Sequence, residues 1–407
     1  MTATARRILL ADADAFFVAV ARLEDPDGVG REPLLIVGGT RQSRGVVCSA
    51  SYETRAFGVR SAMPIARALR LCPQAVCVPV PRKACAQRSG QIRQVLERFA
   101  PVVEAASIDE WYLDLGGTEA LYRHEPLEAT AHRMRNMIHA ETGLHVSFGG
   151  GTSKLVAKLA VERAKPTPST PATGVFVVPP GEEAGFLRAV ALADIPMVGP
   201  RFQERLARLG MRTVPDVLQY DLPTLVRFIG EREARWLYDR VRGIDDREVA
   251  ARLEARSISR DETFPADIAP NAGLERELLG LVNSAASDLR AEGLRARTIT
   301  VRIRDHDFRT RSASRTLEQG VMSDRVILAA SRQLLSRLRA GRRVPTRLLG
   351  VGLTSLVQDE AGDQLTLFEQ GGSAVPLVET ERDRAVARAV DRVRARFGPD
   401  GILPGGL

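Results

Sequence analysis

The chain has 407 residues, of which 44% are hydrophobic and 27% are charged, a composition typical of a globular protein with room for two to four domains. No apolar run reaches the roughly 18 residues of a membrane span, and the short apolar run near the N-terminus lacks a small-residue cleavage site, so we expect no contact with a membrane and no signal peptide. The four cysteines form no CxxC pair and only five histidines occur, which argues against a zinc site or a disulfide scaffold and indicates a reducing cytoplasm.

The chain is basic, with a formal net charge of +8 and a pI near 9.8, which favours a polyanionic partner such as nucleic acid but does not require one. Almost all of its cations are arginine, whereas Lys154, Lys158 and Lys165 place three of its four lysines within 12 residues. A compact ammonium group suits contact with phosphate. We therefore treat this lysine cluster as a candidate binding site.

The first 166 residues are predicted to alternate strands and helices. A strand over Ile8–Leu10 leads into a helix with Phe16 and Phe17 near its start, and Asp12 and Asp14 lie at the end of the strand, where α/β folds place functional groups. The next predicted elements are short strands in 34–50, a loop and helix in 51–73, a helix in 84–100, a helix in 118–143, a strand and glycine turn in 144–151 and a helix in 152–166.

The stretch VEAASIDEWYLDLGG, residues 103–117, reads as a buried strand, yet it contains the adjacent carboxylates of Asp109 and Glu110. Because unpaired buried charge costs several kcal/mol, positive charge is expected opposite them. Neighbouring residues of a regular strand point to opposite faces, so the two acids share one site only where the strand bends. If the two acids bind metal ions together, we therefore predict a bend here and treat Glu104 and Asp114 as bystanders.

The acids at the ends of these two strands form two clusters, Asp12 with Asp14 and Asp109 with Glu110. Strands distant in sequence can be neighbours in one sheet, and converging carboxylates with almost no histidine nearby suit Mg²⁺ or Mn²⁺. Two such ions, about 3.5–4 Å apart, catalyse phosphoryl transfer. Surface acids at strand ends, or ion pairs with the plentiful arginines, fit the same pattern, and the pattern alone does not decide between these interpretations.

The lysine cluster also has two interpretations. On a helix Lys154 and Lys158 lie about 40° apart and Lys165 returns near the same face, although the proline after it leaves its helical geometry open. The cluster is either a contact for a triphosphate or a nucleic acid backbone, or a solvated helix face. The preceding SFGGG segment permits close approach of another backbone, which is weak evidence by itself.

Two aromatic motifs give weaker signals. Tyr52 and Arg55, three residues apart in SYETRAFG, combine a ring with a fork-shaped phosphate ligand, although the motif alone does not distinguish a phosphate site from ordinary packing. Phe16 and Phe17, next to Asp12, are either core residues or the floor of a sugar pocket, and for one of the two we expect core packing.

A Thr/Pro-rich loop, TPSTPATG (167–174), is the first predicted domain boundary. Residues 184–245 are predicted to be helical and to form a helix-hairpin-helix around Gly199. A charged linker follows. Beyond it, predicted helices near 273–292 and 324–340 alternate with predicted strands in 296–304 and 347–356.

The strand TITVRIR (298–304) alternates three apolar with polar residues, so Arg302 and Arg304 are expected on the face opposite the core. Further arginines are expected to continue this cationic face, namely Arg309, Arg311 and Arg315.

The tail after residue 357 is polar except for QLTLF (364–368), which is either a peptide for insertion into a partner's pocket or a final edge strand. An amphipathic helix follows, with apolar residues at helical spacing. These residues are Val386, Val390, Val393 and Phe397.

Five segments of the chain together resemble the Y-family, or translesion, DNA polymerases, and most closely the bacterial DNA polymerase IV (DinB) group. They occur in the order and spacing of that family, and the resemblance spans roughly 5–357 and includes the tail peptide. These segments are ADADAFFVAV, SYETRAFGVRSAMP, SIDEWYLDL, GGTSKLVAKLAVERAKP and IPMVGPRFQERLARLG.

The resemblance implies an α/β multidomain chain shaped as a right-hand polymerase. It would have an α+β palm, small fingers, a helical thumb with a helix-hairpin-helix, and an α+β little finger. The implied bounds are 1–22 and 80–166 for the palm, 23–79 for the fingers, 167–245 for the thumb, 246–256 for a linker, 257–357 for the little finger and 358–407 for the tail.

The resemblance also implies template-directed, low-fidelity DNA synthesis by two-metal nucleotidyl transfer. Asp12, Asp109 and Glu110 would hold two Mg²⁺ ions, with Mn²⁺ as the alternative, and the carbonyl of Ala13 would be a further ligand. Phe17 would be the steric gate that rejects a ribose 2′-hydroxyl. The implied contacts are Phe16, Tyr52, Arg55 and Lys165 for the incoming dNTP, Lys154, Lys158, Gly199, Arg302 and Arg304 for DNA, and Gln364, Leu365, Leu367 and Phe368 for a sliding clamp.

The implied partners of the protein, taken as a monomer, are therefore primer–template DNA, dNTP and the replication sliding clamp. Several residues depart from the family pattern without removing a carboxylate, and they put the shape of the nucleotide pocket in doubt. These are Val18, Thr54, Trp111, Ser153 and the long 167–174 loop. A non-catalytic relative, another two-metal enzyme such as a cyclase or nuclease, and a DNA-binding protein without catalysis are the rival interpretations.

Overall fold

A computed structural model of the chain describes residues 6–166, 173–251, 255–359, 378–398 and 401–402. The predicted clamp peptide, 364–368, lies outside these residues. The chain divides into two compact units, residues 1–253 and 254–407, which are described separately. The division falls within the predicted linker, 246–256. No helix within the described ranges is long and apolar enough to cross a membrane.

The strands and helices follow in chain order. Within the described residues the strands are β1 (Ile8–Ala13), β2 (Leu35–Val37), β3 (Ser49–Ala50), β4 (Val76–Val78), β5 (Val102–Ala105), β6 (Glu110–Asp114), β7 (Val146–Gly151), β8 (Val175–Val177), β9 (Ser257–Ile268), β10 (Leu294–Asp305), β11 (Thr310–Val321) and β12 (Thr346–Gln358). The α-helices of the same residues are α1 (Phe16–Glu24), α2 (Tyr52–Ala56), α3 (Ile65–Leu71), α4 (Arg82–Glu97), α5 (Leu127–Thr142), α6 (Lys154–Ala164), α7 (Glu183–Arg188), α8 (Pro200–Arg208), α9 (Val214–Leu218), α10 (Leu222–Ile229), α11 (Glu231–Val241), α12 (Asn271–Ala291), α13 (Asp324–Gly341) and α14 (Glu381–Phe397).

The first unit is organised around a five-stranded sheet in the order β5–β6–β1–β7–β8. The central strand β1 is a continuous apolar run that is buried on both faces, as expected for a strand covered by helices on two sides. Leu9 and Ala11 face a core shared with α4 and α5, whereas Ile8 and Leu10 face α6. The strand therefore carries Asp12 at its end into a site framed by helices.

Two smaller substructures complete the first unit. A three-stranded sheet in the order β3–β2–β4 packs with α3 around a small core that includes Ile36, Val59 and Ile65. Helices α7 to α11 share a separate apolar cluster with residues of α6. Gly199 is the residue before α8, whose first residue is Pro200, and this order suits a helix start because proline lacks the N–H that the first turn would leave unpaired.

The second unit is a four-stranded antiparallel sheet in the order β11–β10–β12–β9, with α12 and α13 packed on one face. Arg302 and Arg304 lie on the opposite face, as predicted from the alternation in β10. The prediction that Arg311 and Arg315 continue this cationic face is wrong. The hairpin register pairs Ile303 with Arg311, so its guanidinium lies on the helix side and binds the buried Asp305.

The helix predicted for the tail is present as α14, but its apolar stripe is only partly packed. Val386 is 55% exposed and Phe397 is 67% exposed, whereas Val390 and Val393 are half-buried and Ala387 is buried. Ion pairs also dock the helix. Arg290, whose side chain is only 3% exposed, donates to Asp391 at 2.6 and 2.8 Å.

Candidate active site

The strand predicted over 103–117 is two strands joined by a sharp turn. β5 ends at Ala105 and β6 begins at Glu110, so Asp109 lies in the turn, and the predicted bend is confirmed. Ser107 donates to the Asp109 carboxylate at 2.5 Å, and the amide of Ala13 donates to the Asp109 carbonyl at 2.9 Å. Because of the turn, Asp109 and Glu110 need not point to opposite faces of a strand, and the backbone of Asp109 is bound to the end of β1.

Asp12 and Glu110 face each other directly, because they are register partners in the antiparallel pair β1–β6. The positive charge opposite them comes from two lysines. Lys165 Nζ lies 2.7 Å from Asp12, and Lys158 Nζ lies 2.6 Å from Glu110 and 3.7 Å from Asp12. Carboxylates of β1 and β6 and ammonium groups from the α6 region thus form one compact charged site.

Three consecutive glycines of β7 bring α6 close enough to supply these lysines. A Cβ atom added to Gly149 would lie 2.2 Å from both the carbonyl oxygen of Ala157 and the amide of Val161, so the helix rests directly on the strand backbone. The SFGGG segment does permit a close approach, and the group that approaches is a helix rather than a ligand. Lys165 follows the last residue of α6 in extended conformation, as expected before proline, and turns back to Asp12.

Burial dominates the electrostatics of the acids on this strand. The pKa of Asp12 is raised to about 6, chiefly by burial and also by the nearby Glu110, against the lowering effect of Lys165 and Lys158. Burial likewise raises the pKa of Asp14, against a hydrogen bond that Ser147 donates at 2.8 Å. A buried carboxylate with a raised pKa is one that gains from a nearby cation.

The Tyr52 motif lies beside the same acids. Arg55 stacks over the Tyr52 ring at 4.8 Å and donates its Nε to the Ala50 carbonyl. The Tyr52 hydroxyl is buried and has no hydrogen-bond partner among the described residues. Burial and the charge of Asp14 raise the pKa of Tyr52 to about 12, so the hydroxyl keeps its proton. It is a donor without an acceptor, which fits the binding of a phosphate oxygen.

The oxygen donors of the site suit a hard divalent cation, although no group of three or more His, Cys, Asp or Glu in the described ranges is spaced to ligate one. The ammonium group of Lys158 lies between Asp12 and Glu110 instead, and that of Lys165 bridges Asp12 and Glu162, the latter at 2.8 Å. The donors available are the carboxylates of Asp12, Asp109 and Glu110, together with main-chain carbonyls, and this is the chemistry that Mg²⁺ prefers. The residues present therefore fit the predicted ions in chemical type.

Comparisons with known proteins place the chain in a family. Family models match residues 11–162 (impB/mucB/samB family), 255–367 (impB/mucB/samB family C-terminal domain) and 193–245 (DNA polymerase-iota, thumb domain). A DNA polymerase IV of Dehalococcoides mccartyi is 33% identical over 98% of this chain and 97% of its own length, and one of Methanoculleus marisnigri is 38% identical over 88% and 96%. The chain belongs to the Y-family of DNA polymerases.

Solved structures agree in fold. A chimeric Y-family DNA polymerase based on Dbh matches with a TM-score of 0.76 at 24% identity, covering 86% of this chain and 99% of that one. DinB of Sulfolobus solfataricus matches with a TM-score of 0.57 at 25% identity, over 86% and 98%.

As a Y-family polymerase, the chain is a DNA-directed DNA polymerase of the translesion type, which confirms the predicted recognition, enzyme class and fold class. The five-stranded sheet lies within the predicted palm except for β8, which falls inside the predicted thumb bounds, and the three-stranded sheet lies within the predicted fingers. The thumb-domain model matches residues 193–245, and the four-stranded sheet lies in the predicted little finger. Family membership also implies dependence on a divalent metal ion in general. The domain bounds and the roles of individual residues stay predictions.

Two residues predicted to contact nucleotide or DNA lie with their side chains in the protein interior. Phe16 was expected to contact dNTP, but its side chain is 2% exposed and lies in the palm core, with Phe17 packed edge-on against it at 5.5 Å. Lys154 was expected to contact DNA, but it is buried and pairs with Glu104, so Glu104 is no bystander. Helical spacing predicted a shared face for the lysines but could not show that a buried acid lies opposite the first of them.

Lys158 also has a different neighbour from the predicted DNA backbone, since it bonds Glu110 and is 27% exposed. The remaining predicted DNA contacts are accessible. No atom lies within 4 Å of the position that a Cβ at Gly199 would take, and Arg302 is 47% exposed, 3.7 Å from Asp261. Arg304 donates to the Thr310 hydroxyl at 3.0 Å on the same open face of the sheet. The clamp residues lie outside the described ranges.

The departures from the family pattern have local explanations. Ser153 is the residue before α6, and its hydroxyl accepts from the amide of Val156, as a helix cap should. Thr54 is buried and bonds Ser51 at 2.8 Å. Trp111 lies fully buried in the palm core beneath the site, and its indole N–H has no partner among the described residues.

Proposed function

We propose that Asp12, Asp109 and Glu110 are the catalytic carboxylates of this translesion polymerase. They would hold two Mg²⁺ ions, with the Ala13 carbonyl as a further ligand, and Mn²⁺ is the alternative ion. The observation that carries the proposal is the pairing of Asp12 with Glu110 across β1 and β6, with Asp109 in the adjoining turn. When bound, the ions would activate the primer 3′-hydroxyl and neutralise the triphosphate.

The surrounding residues would bind and select the nucleotide. Tyr52 would donate its unpartnered hydroxyl to a phosphate oxygen, and Arg55 would present its guanidinium beside it. Lys165 would exchange its contact with Asp12 for the triphosphate. Phe17, half-buried between the palm core and the fingers, would reject a ribose 2′-hydroxyl. Phe16 would support Phe17 from below rather than touch the nucleotide.

The partners of the polymerase would be primer–template DNA, dNTP and the replication sliding clamp. Gly199 in the thumb and Arg302 and Arg304 in the little finger would contact the DNA backbone, which positions a duplex without reading its sequence. Gln364, Leu365, Leu367 and Phe368 would bind the clamp; deletion of 364–368 should remove stimulation by the clamp and spare basal extension. The monomeric state and the cytoplasmic location stay predictions.

Primer extension with Glu110→Ala tests the catalytic assignment. We expect single-turnover insertion with Mg²⁺ to fall by more than about 100-fold, because a metal ligand contributes several kcal/mol at the transition state. Asp114→Ala is the matched control, since Asp114 lies on the same strand and bonds the amide of Gly116. Equal rates for Glu110→Ala and wild type would refute the assignment, and an unchanged affinity for DNA would show that the loss is one of chemistry.

A further inference from the structure

The chain does not leave the palm where the last thumb helix ends. After α11, residues 245–250 run back over the palm. The carboxylate of Asp245, 1% exposed, accepts from the amide of Leu155 at 2.9 Å, in the first turn of α6. It is also paired with Arg240 at 3.1 Å and Arg247 at 2.7 Å. The start of the predicted linker is therefore bound to the palm helix that carries the active-site lysines.

Two further contacts hold the same segment. Val249 is 8% exposed and packs in an apolar cluster with Ile8, Leu10 and Tyr112 of the palm sheet. Arg6, two residues before β1, donates to the carbonyl of Arg247 at 3.0 Å. The segment is thus held by side-chain packing as well as by polar contacts.

The buried pair Glu104–Lys154 makes the last of these contacts. Lys154 Nζ lies 2.6 and 2.7 Å from the two Glu104 oxygens and 4.6 Å from the centroid of the Tyr112 ring. Both members of the pair also form hydrogen bonds with the backbone of residues 245–250. Glu104 accepts from the amide of Ala250 at 2.9 Å, and Lys154 donates to the carbonyl of Glu248 at 3.4 Å.

The energetics of buried charge make this arrangement informative. Glu104 and Lys154 are 7% and 8% exposed, and at such burial the desolvation penalty of an ion pair commonly cancels its attraction, so apolar residues of similar size would stabilise the fold as well. What apolar residues would not supply is an acceptor for the amide of Ala250. The function of the pair therefore lies in fixing the backbone that it touches.

We propose that Glu104 and Lys154 are positioning residues that fasten residues 245–250 to the palm and so set the length of chain that connects the two units. With the fastening, residues 251–256 join Ala250 to β9; without the pair and Val249, residues 246–256 would join Asp245, which stays bound to α6, to β9. In the flexible-chain limit, effective concentration falls with about the 3/2 power of length, so lengthening the connection from 6 to 11 residues lowers that concentration roughly 2.5-fold. The little finger would then engage DNA held by the palm and thumb less often.

Two double variants that differ in a single acceptor test the fastening. E104M/K154M removes the charges and the acceptor for Ala250, whereas E104Q/K154M removes the charges and keeps a carbonyl acceptor. We expect amide hydrogen exchange at Ala250 to accelerate at least about 10-fold in E104M/K154M and to stay near the wild-type rate in E104Q/K154M. Unchanged exchange in both variants would overturn the proposal. This readout does not depend on any DNA contact.

Affinity for primer–template DNA tests the consequence, which rests on the proposed DNA contacts of the little finger. We expect the Kd of E104M/K154M/V249S to rise about 2.5-fold, with kcat unchanged at saturating DNA, and the Kd of E104Q/K154M to match wild type. An equal loss of affinity in E104Q/K154M would assign the effect to a direct contact of Lys154 and overturn the proposal. If E104M/K154M does not fold, V249S alone keeps the pair, so exchange at Ala250 should stay near the wild-type rate; acceleration of at least about 10-fold in V249S would assign the fastening to packing rather than to the pair and overturn the proposal.

Discussion

At the scale of single residues, the site is a balance between buried acids and the cations that reach them. Asp12 is 6% exposed at the end of a strand, and the ammonium groups of Lys158 and Lys165 offset the free-energy cost of burying its charge. On the proposed assignment, a bound metal ion would take over that role and release both lysines. The lysines would then hold the carboxylates in place before nucleotide arrives and would be available to phosphate oxygens when it does.

The raised pKa of Asp12 predicts how the reaction responds to acid. The pKa of the metal-free Asp12 is about 6, so its carboxylate is ionised at neutral pH and binds a proton as the pH falls through 6, in competition with a metal ion. We expect the Mg²⁺ concentration for half-maximal single-turnover insertion to rise as the pH falls from 7 to 5, more steeply below about 6. A half-maximal Mg²⁺ concentration that does not change between pH 7 and 5 would contradict a role for this carboxylate as ligand.

The ring of Phe17 predicts sugar selectivity. Phe17→Ala removes the aromatic surface between the palm core and the fingers, so a ribose 2′-hydroxyl should no longer collide with it. We expect ribonucleotide insertion relative to deoxynucleotide insertion to rise by more than about 10-fold, equivalent to roughly 1.4 kcal/mol. Phe57→Ala, at a 45% exposed ring in the fingers, is the control. Unchanged discrimination in Phe17→Ala would remove this residue as the gate.

At the scale of elements, the palm site depends on a turn that propensity alone conceals. Ile108, Trp111 and Tyr112 favour a strand, so the sequence around them predicts one strand, although two acids side by side required a bend. The structure has the bend, with Ile108 exposed in the turn. The pattern of charge was thus a better guide to local geometry here than the pattern of hydrophobicity.

Other parts of the site could not be predicted because they depend on distant partners. The family motifs correctly implied the polymerase fold, but the burial of Lys154 depends on Glu104, fifty residues earlier. The orientation of Arg311 depends on the hairpin register with β10. Both are tertiary facts, and no local period in the sequence records them.

The docking of α14 predicts a measurable contribution to the stability of the second unit. Asp391→Ala would take two charge-assisted hydrogen bonds from the buried Arg290, which keeps its contact with Asp324 at 2.9 Å. Such bonds are worth about 1.5–3 kcal/mol. We therefore expect the midpoint temperature of unfolding of that unit, measured by calorimetry, to be roughly 5 °C lower in Asp391→Ala. Arg392→Ala, at an exposed position of the same helix, should leave the transition unchanged, and similar shifts in both variants would contradict the docking role.

At the scale of the whole molecule, the basic residues fall into two groups, those paired with acids inside the fold and those on an exposed surface. Many arginines of the second unit are occupied internally, as Arg290 and Arg311 are by buried or partly buried acids. Arg302 and Arg304 instead lie on an open sheet face. Net charge alone therefore overstates the number of cations available to nucleic acid. The sheet register identifies which arginines lie on the exposed face.

The exposed pair on β10 predicts the salt dependence of DNA binding. If Arg302 and Arg304 each neutralise one phosphate, the double variant R302A/R304A should reduce the slope of log Kd against log salt by about 2. The affinity should weaken to a similar extent for unrelated DNA sequences, because backbone contacts carry no sequence information. Arg276→Ala, at an exposed position on α12, is the control. An unchanged slope in R302A/R304A would place the DNA contacts elsewhere.

The contact between Gly149 and α6 makes the position of the site lysines depend on a residue that bears no functional group. A methyl group at Gly149 would push the helix off the sheet and draw Lys158 and Lys165 away from the carboxylates, while the open face of the little finger would be untouched. Gly149→Ala should therefore abolish nucleotide insertion by displacing α6, without any change to a carboxylate or a lysine. The position of both ammonium groups thus depends on the absence of a single methyl group from β7.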